Sequence, residues 1–157
     1  MLIRKAAPKD ARGIAEVLAK SYNIQSIAEG EEVFHSEARK GHHYIVAEEK
    51  GAIIGIVTWL PHGLPKHMLA ELDRIAVLPD FRGKGIAEQL KDALVKECRE
   101  WFGEKGFRLR KLYLLTHEDN DRARKFYGKM GFAHEATLRE HYYKGKDECV
   151  YSMFFDE

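Results

Sequence analysis

The segment PDFRGKGIAEQL contains the residues best suited to bind an anion. Gly83 and Gly85 stand directly before an amphipathic run, and Ala87 lies in its first turn. The first backbone amides of a helix have no intrahelical partner, and the helix dipole favours negative charge at this end. Small residues let an anion approach those amides, and Arg82 and Lys84 add charged donors. The turn therefore predicts a phosphate or pyrophosphate site, with a plain strand-to-helix turn as the alternative.

Two familiar nucleotide-binding patterns fit this turn poorly. A P-loop requires GxxxxGK[ST], whereas here Lys84 precedes the second glycine and Ile86 follows it. A dinucleotide-binding turn requires GxGxxG, but Ala87 comes one position early. That pattern also needs an acidic residue about 20 positions further on, at the end of a second strand. The residues of the turn thus indicate an anion site without naming its ligand.

A second pattern follows downstream and makes the first one specific. The first motif, RxxGxA, runs from Arg82 to Ala87 after the strand LDRIAVLP. The second motif, NxxAxxxYxxxGF, runs from Asn120 to Phe132. In this order and at this distance, the pair resembles the two motifs of the GNAT superfamily of acetyl-CoA-dependent N-acetyltransferases. The first motif matches that family's [QR]-x-x-G-x-[GA] signature. The resemblance is specific from about Leu72 to Phe132, and the order of elements outside that stretch is compatible with the fold.

The resemblance implies acetyl-CoA as the acyl donor. The pantetheine arm is expected to lie along the strand before the turn, on the backbone of Ile75, Ala76 and Val77. Asn120 is expected to contact the same arm. The pyrophosphate is expected on the amides of the turn, which are those of Arg82, Gly83, Lys84, Gly85, Ile86 and Ala87.

The resemblance also implies which side chains transfer protons. Tyr127 matches the tyrosine that commonly lies near the sulfur, and a phenol is protonated at neutral pH, so it could donate to the leaving thiolate. Packing against the sheet is the alternative for Tyr127. Glu71 aligns with a glutamate that deprotonates the amine in some members, and Asp73 lies two residues further on the same strand face. Glu71 is the predicted base, Asp73 or a water chain is the alternative, and an amide near Val77 would stabilise the oxyanion.

The acceptor amine is left open between a small-molecule amine, a polyamine and a peptide N-terminus. In folds of this family, the segment after the first helix and the last hairpin line the acceptor, here SIAEGEEVF and LREHYYKGK. Glu29, Glu31 and Glu32 could attract a cationic amine, and Tyr142 and Tyr143 could line a peptide site. A solvated helix start and simple packing are the alternatives. A non-catalytic acyl-CoA-binding or sensor domain is the second function considered, although the turn and Tyr127 are both intact.

Other reactive side chains lack a comparable pattern. No HExxH or Cys/His spacing accompanies the histidines, so no metal site is predicted. Cys98 and Cys149 fall on predicted apolar faces and indicate buried thiols. The histidines considered as ligands or bases are His42, His43, His62, His67 and His117.

Length and composition exclude several classes of protein. A chain of 157 residues with 45% apolar residues predicts one domain over residues 1–157 with a packed core. The 26 basic and 25 acidic residues leave a net charge of +1, so neither nucleic acid nor a membrane surface is an expected partner. The sequence lacks a signal-peptide pattern and a membrane-length apolar run, which predicts a soluble, cytoplasmic protein. Homodimers are common in the family, but no interface motif is visible.

Hydrophobic periodicity and turn residues predict the elements that position these sites. The predicted strands are Leu2–Ala6, His43–Ala47, Ile53–Leu60, Leu69–Leu78, Leu112–Thr116, Phe132–Leu138 and Glu148–Phe155. Asp10 is predicted to cap the first helix, whose apolar residues Ile14, Val17, Leu18 and Tyr22 recur at helical spacing. The other predicted helices cover Ser26–Lys40, run about four turns from Ile86 to a stop at Gly103 and Gly106, and cover Asn120–Met130. This order predicts an α/β (α+β) fold, a three-layer domain whose mixed, mostly antiparallel sheet is flanked by helices. The resemblance implies the same arrangement, the acyl-CoA N-acyltransferase fold.

Overall fold

The computed structural model describes residues 1–155, which form seven strands and four α-helices. The strands are β1 (Leu2–Lys5), β2 (His43–Glu49), β3 (Ala52–His62), β4 (Leu69–Val77), β5 (Lys111–His117), β6 (Ala133–Tyr143) and β7 (Lys146–Phe154). The helices are α1 (Ala11–Ser21), α2 (Ile27–Arg39), α3 (Ile86–Gly103) and α4 (Asp121–Lys129). None of the helices in residues 1–155 has the length and apolarity needed to cross a membrane.

The chain divides into two compact units. The first consists of residues 1–60 and 73–100, and its strands lie in the order β1-β2-β3-β4, with β1 and β3 antiparallel to β2. The second consists of residues 61–72 and the chain from Trp101 onward, and its strands lie in the order β4-β5-β7-β6. There β4 and β5 are parallel, and the other two pairs are antiparallel. The predicted mixed, mostly antiparallel sheet is therefore confirmed, while the single domain over 1–157 stays a prediction.

The core of the first unit follows from the helical spacing of α1 and the apolar runs of β2 and β3. Ile14, Val17 and Leu18 are fully buried on one face of α1, as their spacing predicts. They belong to the same buried cluster as Val46 of β2 and Ile56 of β3. Strands with such continuous apolar runs are typical of central positions that are covered on both faces.

Asp10 is the N-cap residue of α1, as predicted, but its side chain makes no capping bond to the helix. Its carboxylate instead accepts bonds of 2.8 and 2.9 Å from Arg4 and one of 2.7 Å from the amide of Ala7. The bidentate bond from Arg4 lowers the pKa of Asp10 below its usual range. Asp10 therefore stabilises the fold at neutral pH, and this contribution disappears as the pH falls through the lowered folded pKa.

Two strands extend further than the sequence predicts. β3 continues to His62, so the segment PHGLPKH is strand at its start and a short 3-10 turn at Pro65–His67. β6 continues to Tyr143 and meets β7 through a tight turn, although its register shifts between Leu138 and Tyr143. In β6, the extension ends where Tyr143 pairs with Lys146 of β7. The first extension brings His62 into the ordered part of the sheet.

The crossing of α1 and α2 depends on a glycine. A Cβ atom added at Gly30 of α2 would lie 2.7 Å from the Cβ and 2.8 Å from the Cα of Ala15 in α1. Since one of these neighbours is backbone, rotation of a side chain cannot relieve the clash. The absence of a side chain at Gly30 thus sets how closely the two helices approach.

We expect Gly30→Ala to lower the free energy of unfolding by about 1–2 kcal/mol, because overpacking outweighs the better helix propensity of alanine. Gly103→Ala is the matched control, since an added methyl group there would meet no atom of the described residues within 4 Å. Urea denaturation of both variants measures the difference. Equal stability of the two variants would contradict the proposed close crossing.

Candidate functional site

The glycine-rich turn joins the end of β4 to the start of α3. Gly83 and Gly85 have φ values of +77° and +78°, a backbone region that favours glycine. An added Cβ at either position would touch no described atom within 4 Å, so backbone conformation, not space, requires glycine here. Residues 82–85 are exposed, and α3 begins at Ile86. The turn therefore presents the first amides of a five-turn helix to an incoming group.

Arg82 connects this turn to the strand before it. Its Nε donates a 2.9 Å hydrogen bond to the carbonyl oxygen of Val77, the last residue of β4. The Nζ of Lys84 lies 5.5 Å from the ring centroid of Phe81, within range of a cation–π interaction. Both cations predicted to bind an anion are thus positioned by contacts within the first unit. Ala76, Val77 and Ile86 have buried side chains, so Ala76 and Val77 could offer a ligand only their backbone.

The backbone of β4 is hydrogen-bonded by side chains near its end. The hydroxyl of Tyr22, one residue after α1, accepts a 3.0 Å bond from the Ile75 amide and donates a 3.1 Å bond to the Ile75 carbonyl. The amide of Arg74 donates a 3.0 Å bond to the hydroxyl of Thr58 in β3. Both polar backbone groups of Ile75 are therefore already paired. A cofactor bond at Ile75, as the sequence predicts, would replace the Tyr22 hydroxyl.

Sequence reasoning placed Tyr22 only on the apolar face of α1 and missed its hydroxyl. Burial raises the pKa of Tyr22 to about 12, so the phenol stays protonated and can both donate and accept. Arg74 also faces this ring, with its guanidinium carbon 5.6 Å from the centroid. A hydrogen bond between residues that are 53 positions apart has no local signal in the sequence.

Glu71, the predicted base, has a histidine partner in the second unit. Its Oε1 lies 2.8 Å from Nε2 of His62, the last residue of β3. The side chains of Glu71 and His62 are 16% and 35% exposed. The ring centroid of Tyr113 in β5 lies 5.6 Å from that of His62. Sequence reasoning considered His62 only as a metal ligand or base on its own and did not connect it to Glu71.

Asp73, the alternative base, belongs to an ion-pair network in the first unit. Its Oδ2 lies 3.6 Å from Nδ1 of His42, which is 3.8 Å from Oε1 of Glu37. Ligand atoms of these three residues lie within 4.8 Å of one another, as a metal site would require. However, Arg74 and the Tyr44 hydroxyl each already bond to Glu37 Oε1 at 2.5 Å. The arrangement is that of a charge network, and the absence of a metal remains a prediction.

The second motif lies on α4, where the structure assigns local roles to both of its polar residues. Asn120 precedes the helix, and its Oδ1 accepts a 3.1 Å bond from the Ala123 amide, so a cofactor contact would use its Nδ2. Tyr127 is half-buried. Its ring centroid lies 6.1 Å from that of Phe132 and 6.4 Å from that of Tyr151. These contacts fix the ring, and the proposed acid role of Tyr127 stays a prediction.

Two of the acidic residues considered for an acceptor amine, Glu29 and Glu32, have structural partners as well. The amide of Glu29 donates to the Ser26 hydroxyl at 3.1 Å, and the Glu29 carboxylate accepts from the Gln25 amide at 2.8 Å. This reciprocal pairing stabilises the start of α2. Glu32 lies 3.5 Å from Arg39 in an exposed pair. The alternative of a solvated helix start therefore accounts for Glu29.

Strands β5 and β7 carry a histidine–carboxylate pair that sequence reasoning missed. Glu148 of β7 is 3% exposed and bonds to Nδ1 of His117, which lies opposite it on β5. The ring centroid of Tyr143 lies 6.1 Å from that of His117.

The cysteines behave as predicted: Cys98 and Cys149 are buried thiols, and burial raises the pKa of Cys98.

Comparison with known proteins identifies relatives of this chain. The sequence profile described as the Acetyltransferase (GNAT) family matches residues 12–132. A relative from Methanocaldococcus jannaschii and another from Escherichia coli K12, each named an uncharacterised N-acetyltransferase, are both 30% identical, over 100 and 104 residues. The alignments cover 61% and 66% of this chain and 41% and 59% of the relatives, so they span about half the length of these proteins.

A solved structure of a GNAT-family protein from Desulfovibrio desulfuricans has the same fold. Its TM-score is 0.81 at 23% identity, and the superposition covers 98% of each chain. At this identity the similarity establishes the fold alone.

We expect Tyr22→Phe to lower the free energy of unfolding by about 1–3 kcal/mol, because it leaves the amide and carbonyl of Ile75 unpaired. The effect should shrink as the pH rises from about 10 to about 12. The contribution of Tyr22 to stability is fully present below the pKa of the unfolded state, and it is lost as the pH rises through the higher pKa of the folded state. Tyr143→Phe, at a side chain 59% exposed, is the matched control and should change stability by under about 0.5 kcal/mol. Urea denaturation of wild type and both variants at several pH values tests this prediction. If the stability difference between wild type and Tyr22→Phe did not change with pH, the raised pKa of Tyr22 would be contradicted.

Proposed function

Because this chain belongs to the acetyltransferase (GNAT) family, we propose that it transfers the acetyl group of acetyl-CoA to a primary amine. The observation that carries the proposal is the exposed turn between β4 and α3, where two glycines hold positive φ values. The family match spans this turn and the second motif on α4. Direct transfer within a ternary complex is proposed, without a covalent enzyme intermediate.

The turn is the proposed site for the pyrophosphate of coenzyme A. Amides from Gly83 to Ala87 offer several donors at a helix start, where the dipole adds favourable potential. Arg82 and Lys84 supply positive charge beside these amides. Bound acetyl-CoA would supply the activated acyl group. The chain would supply positioning, which is a large part of the rate enhancement when two substrates react together.

The transfer itself requires proton movements at both the amine and the leaving thiolate. The amine must lose a proton before its lone pair attacks the thioester carbon, and the departing thiolate must gain one. We assign the second movement to the hydroxyl of Tyr127, as the motif on α4 suggests. The first movement belongs to the Glu71 region of β4. The acceptor is proposed to be a small-molecule amine, a polyamine or a peptide N-terminus.

Thiol release from acetyl-CoA should be detected with one class of amine in a panel of polyamines, amino acids, aminoglycosides and peptides with free N-termini. Gly85→Glu should abolish coenzyme A binding and thiol release, because a carboxylate then stands where the pyrophosphate would lie. Gly106→Glu is the matched control, since Gly106 has a φ of +83° and is equally open. Calorimetric titration with coenzyme A measures binding directly. Binding without transfer across the panel would support the sensor alternative, and equal binding by both variants would contradict the proposed site.

Tyr127→Phe should reduce kcat by about 10- to 100-fold while coenzyme A affinity changes less than about threefold, because only the proton donor is removed and the ring packing remains. Steady-state thiol release with the best amine and a parallel coenzyme A titration provide the two readouts. An unchanged kcat would assign Tyr127 to packing alone.

A further inference from the structure

The side chains of His62 and Glu71 form a hydrogen-bonded pair between two neighbouring strands. The two residues belong to β3 and β4 and are joined by a loop containing a short 3-10 turn. Their side chains approach to 2.8 Å, and both are mostly shielded from water. A carboxylate on the solvent face of a strand would need no such partner. The pairing instead holds an ionisable group in a fixed orientation at the position where the sequence predicts a base.

The chemistry of the pair decides which atom can accept a proton. An ionised carboxylate has only acceptors, so Nε2 of His62 must carry the hydrogen that is shared with Glu71 Oε1. In the neutral imidazole, Nδ1 then keeps its lone pair. His62 is 35% exposed, whereas Glu71 is 16% exposed, so the histidine is the more accessible member. Glu71 fixes the tautomer and stabilises the imidazolium when it forms, as carboxylates do in other histidine pairs.

We propose that His62 is the general base that deprotonates the acceptor amine and that Glu71 is the residue that positions it. This inference rests on the proposed acetyltransferase function. It changes the role expected for Glu71 from direct base to orienting group. Histidine is also the better suited side chain, because its protonation changes in the physiological pH range.

The proton and electron balance of the step is complete. Nδ1 of His62 takes one proton from the ammonium form of the acceptor, and the freed nitrogen lone pair forms a C–N bond with the thioester carbon. The carbonyl electron pair moves to oxygen, and its return breaks the C–S bond. Tyr127 protonates the departing thiolate and regains a proton from solvent. The tetrahedral nitrogen loses its second proton to solvent, and His62 later releases its own, so the products are the amide, the free thiol and one proton.

The surroundings of His62 predict how the step depends on pH. Two titratable side chains contact it from neighbouring strands: Glu71 from β4 and Tyr113 from β5. His67, in the adjoining loop, is occupied by accepting a 2.9 Å bond from the Leu64 amide. Protonated His62 cannot accept the amine proton, so activity should fall as the pH decreases. Loss of the carboxylate at Glu71 would remove the hydrogen-bond partner of Nε2, so His62 would no longer be held in one orientation.

The test measures kcat and kcat/KM for the best amine between pH 5.5 and 9 in wild type, His62→Gln and Glu71→Gln. We expect His62→Gln to lower kcat by about 100-fold at neutral pH and to remove the acidic fall of the profile. Glu71→Gln should keep part of the activity and retain that fall, because the imidazole is still present but less firmly oriented. Coenzyme A affinity should change less than about threefold in both variants, which separates a chemical effect from a binding effect.

Controls keep the proposal open to failure. His35→Gln removes a histidine whose ring contacts the adjacent Phe34, and it should match wild type in rate and profile. Thermal unfolding checks each variant, and His62→Asn replaces His62→Gln if the latter does not fold. If wild type transfers acetyl and His62 variants keep both the rate and the acidic fall, the inference is overturned while the proposed function stands. If wild type releases no thiol with any amine, the proposed function fails and the inference fails with it.

Discussion

The hydrogen-bonding demand of the β4 backbone is the constraint on which the candidate site depends. A buried amide or carbonyl without a partner is costly, so every such group near the end of a strand must be satisfied by some element. Here, side chains supply these hydrogen bonds: Tyr22 bonds to the backbone of Ile75, Thr58 to that of Arg74, and Arg82 to that of Val77. Helix α1, strand β3 and the glycine turn are thereby each connected to the same short stretch of backbone. The position of the turn at the start of α3 follows from these bonds as much as from its glycines.

The histidines of the chain illustrate a second organising principle. Taken as a composition, several histidines invite a metal-binding interpretation, yet three of them lie against carboxylates from other elements. His62 meets Glu71, His42 meets Asp73, and His117 meets Glu148. A carboxylate beside an imidazole fixes its tautomer and favours its charged form, which suits proton transfer and ion pairing. Strand pairing places His117 opposite Glu148, and sequence spacing predicts none of the three pairs.

The sequence predicted the parts of the site that depend on local signals. Gly83 and Gly85 define a turn that few backbones can form, and the spacing from Asn120 to Tyr127 places both on one helix. The strand pattern also identified β4 within one residue of its observed end. The contacts of Tyr22 with Ile75 and of His62 with Glu71 could not be predicted in this way. They depend on where separate elements pack and on the extension of β3 to His62, which local composition does not predict.

The double hydrogen bond of Tyr22 also has a thermodynamic consequence for any ligand that reaches Ile75. Such a ligand would exchange bonds that the protein already makes to itself for equivalent bonds of its own, so the net enthalpy of that contact would be close to zero. Selectivity for the ligand's register along the strand would remain, because only a group with a matching donor and acceptor can replace a hydroxyl that uses both. Affinity would then have to originate at the open amides of the turn, which makes binding at this site sensitive to ionic strength. In an elongated ligand, the end at the strand would thus set the alignment, and the end at the helix start would supply the attraction.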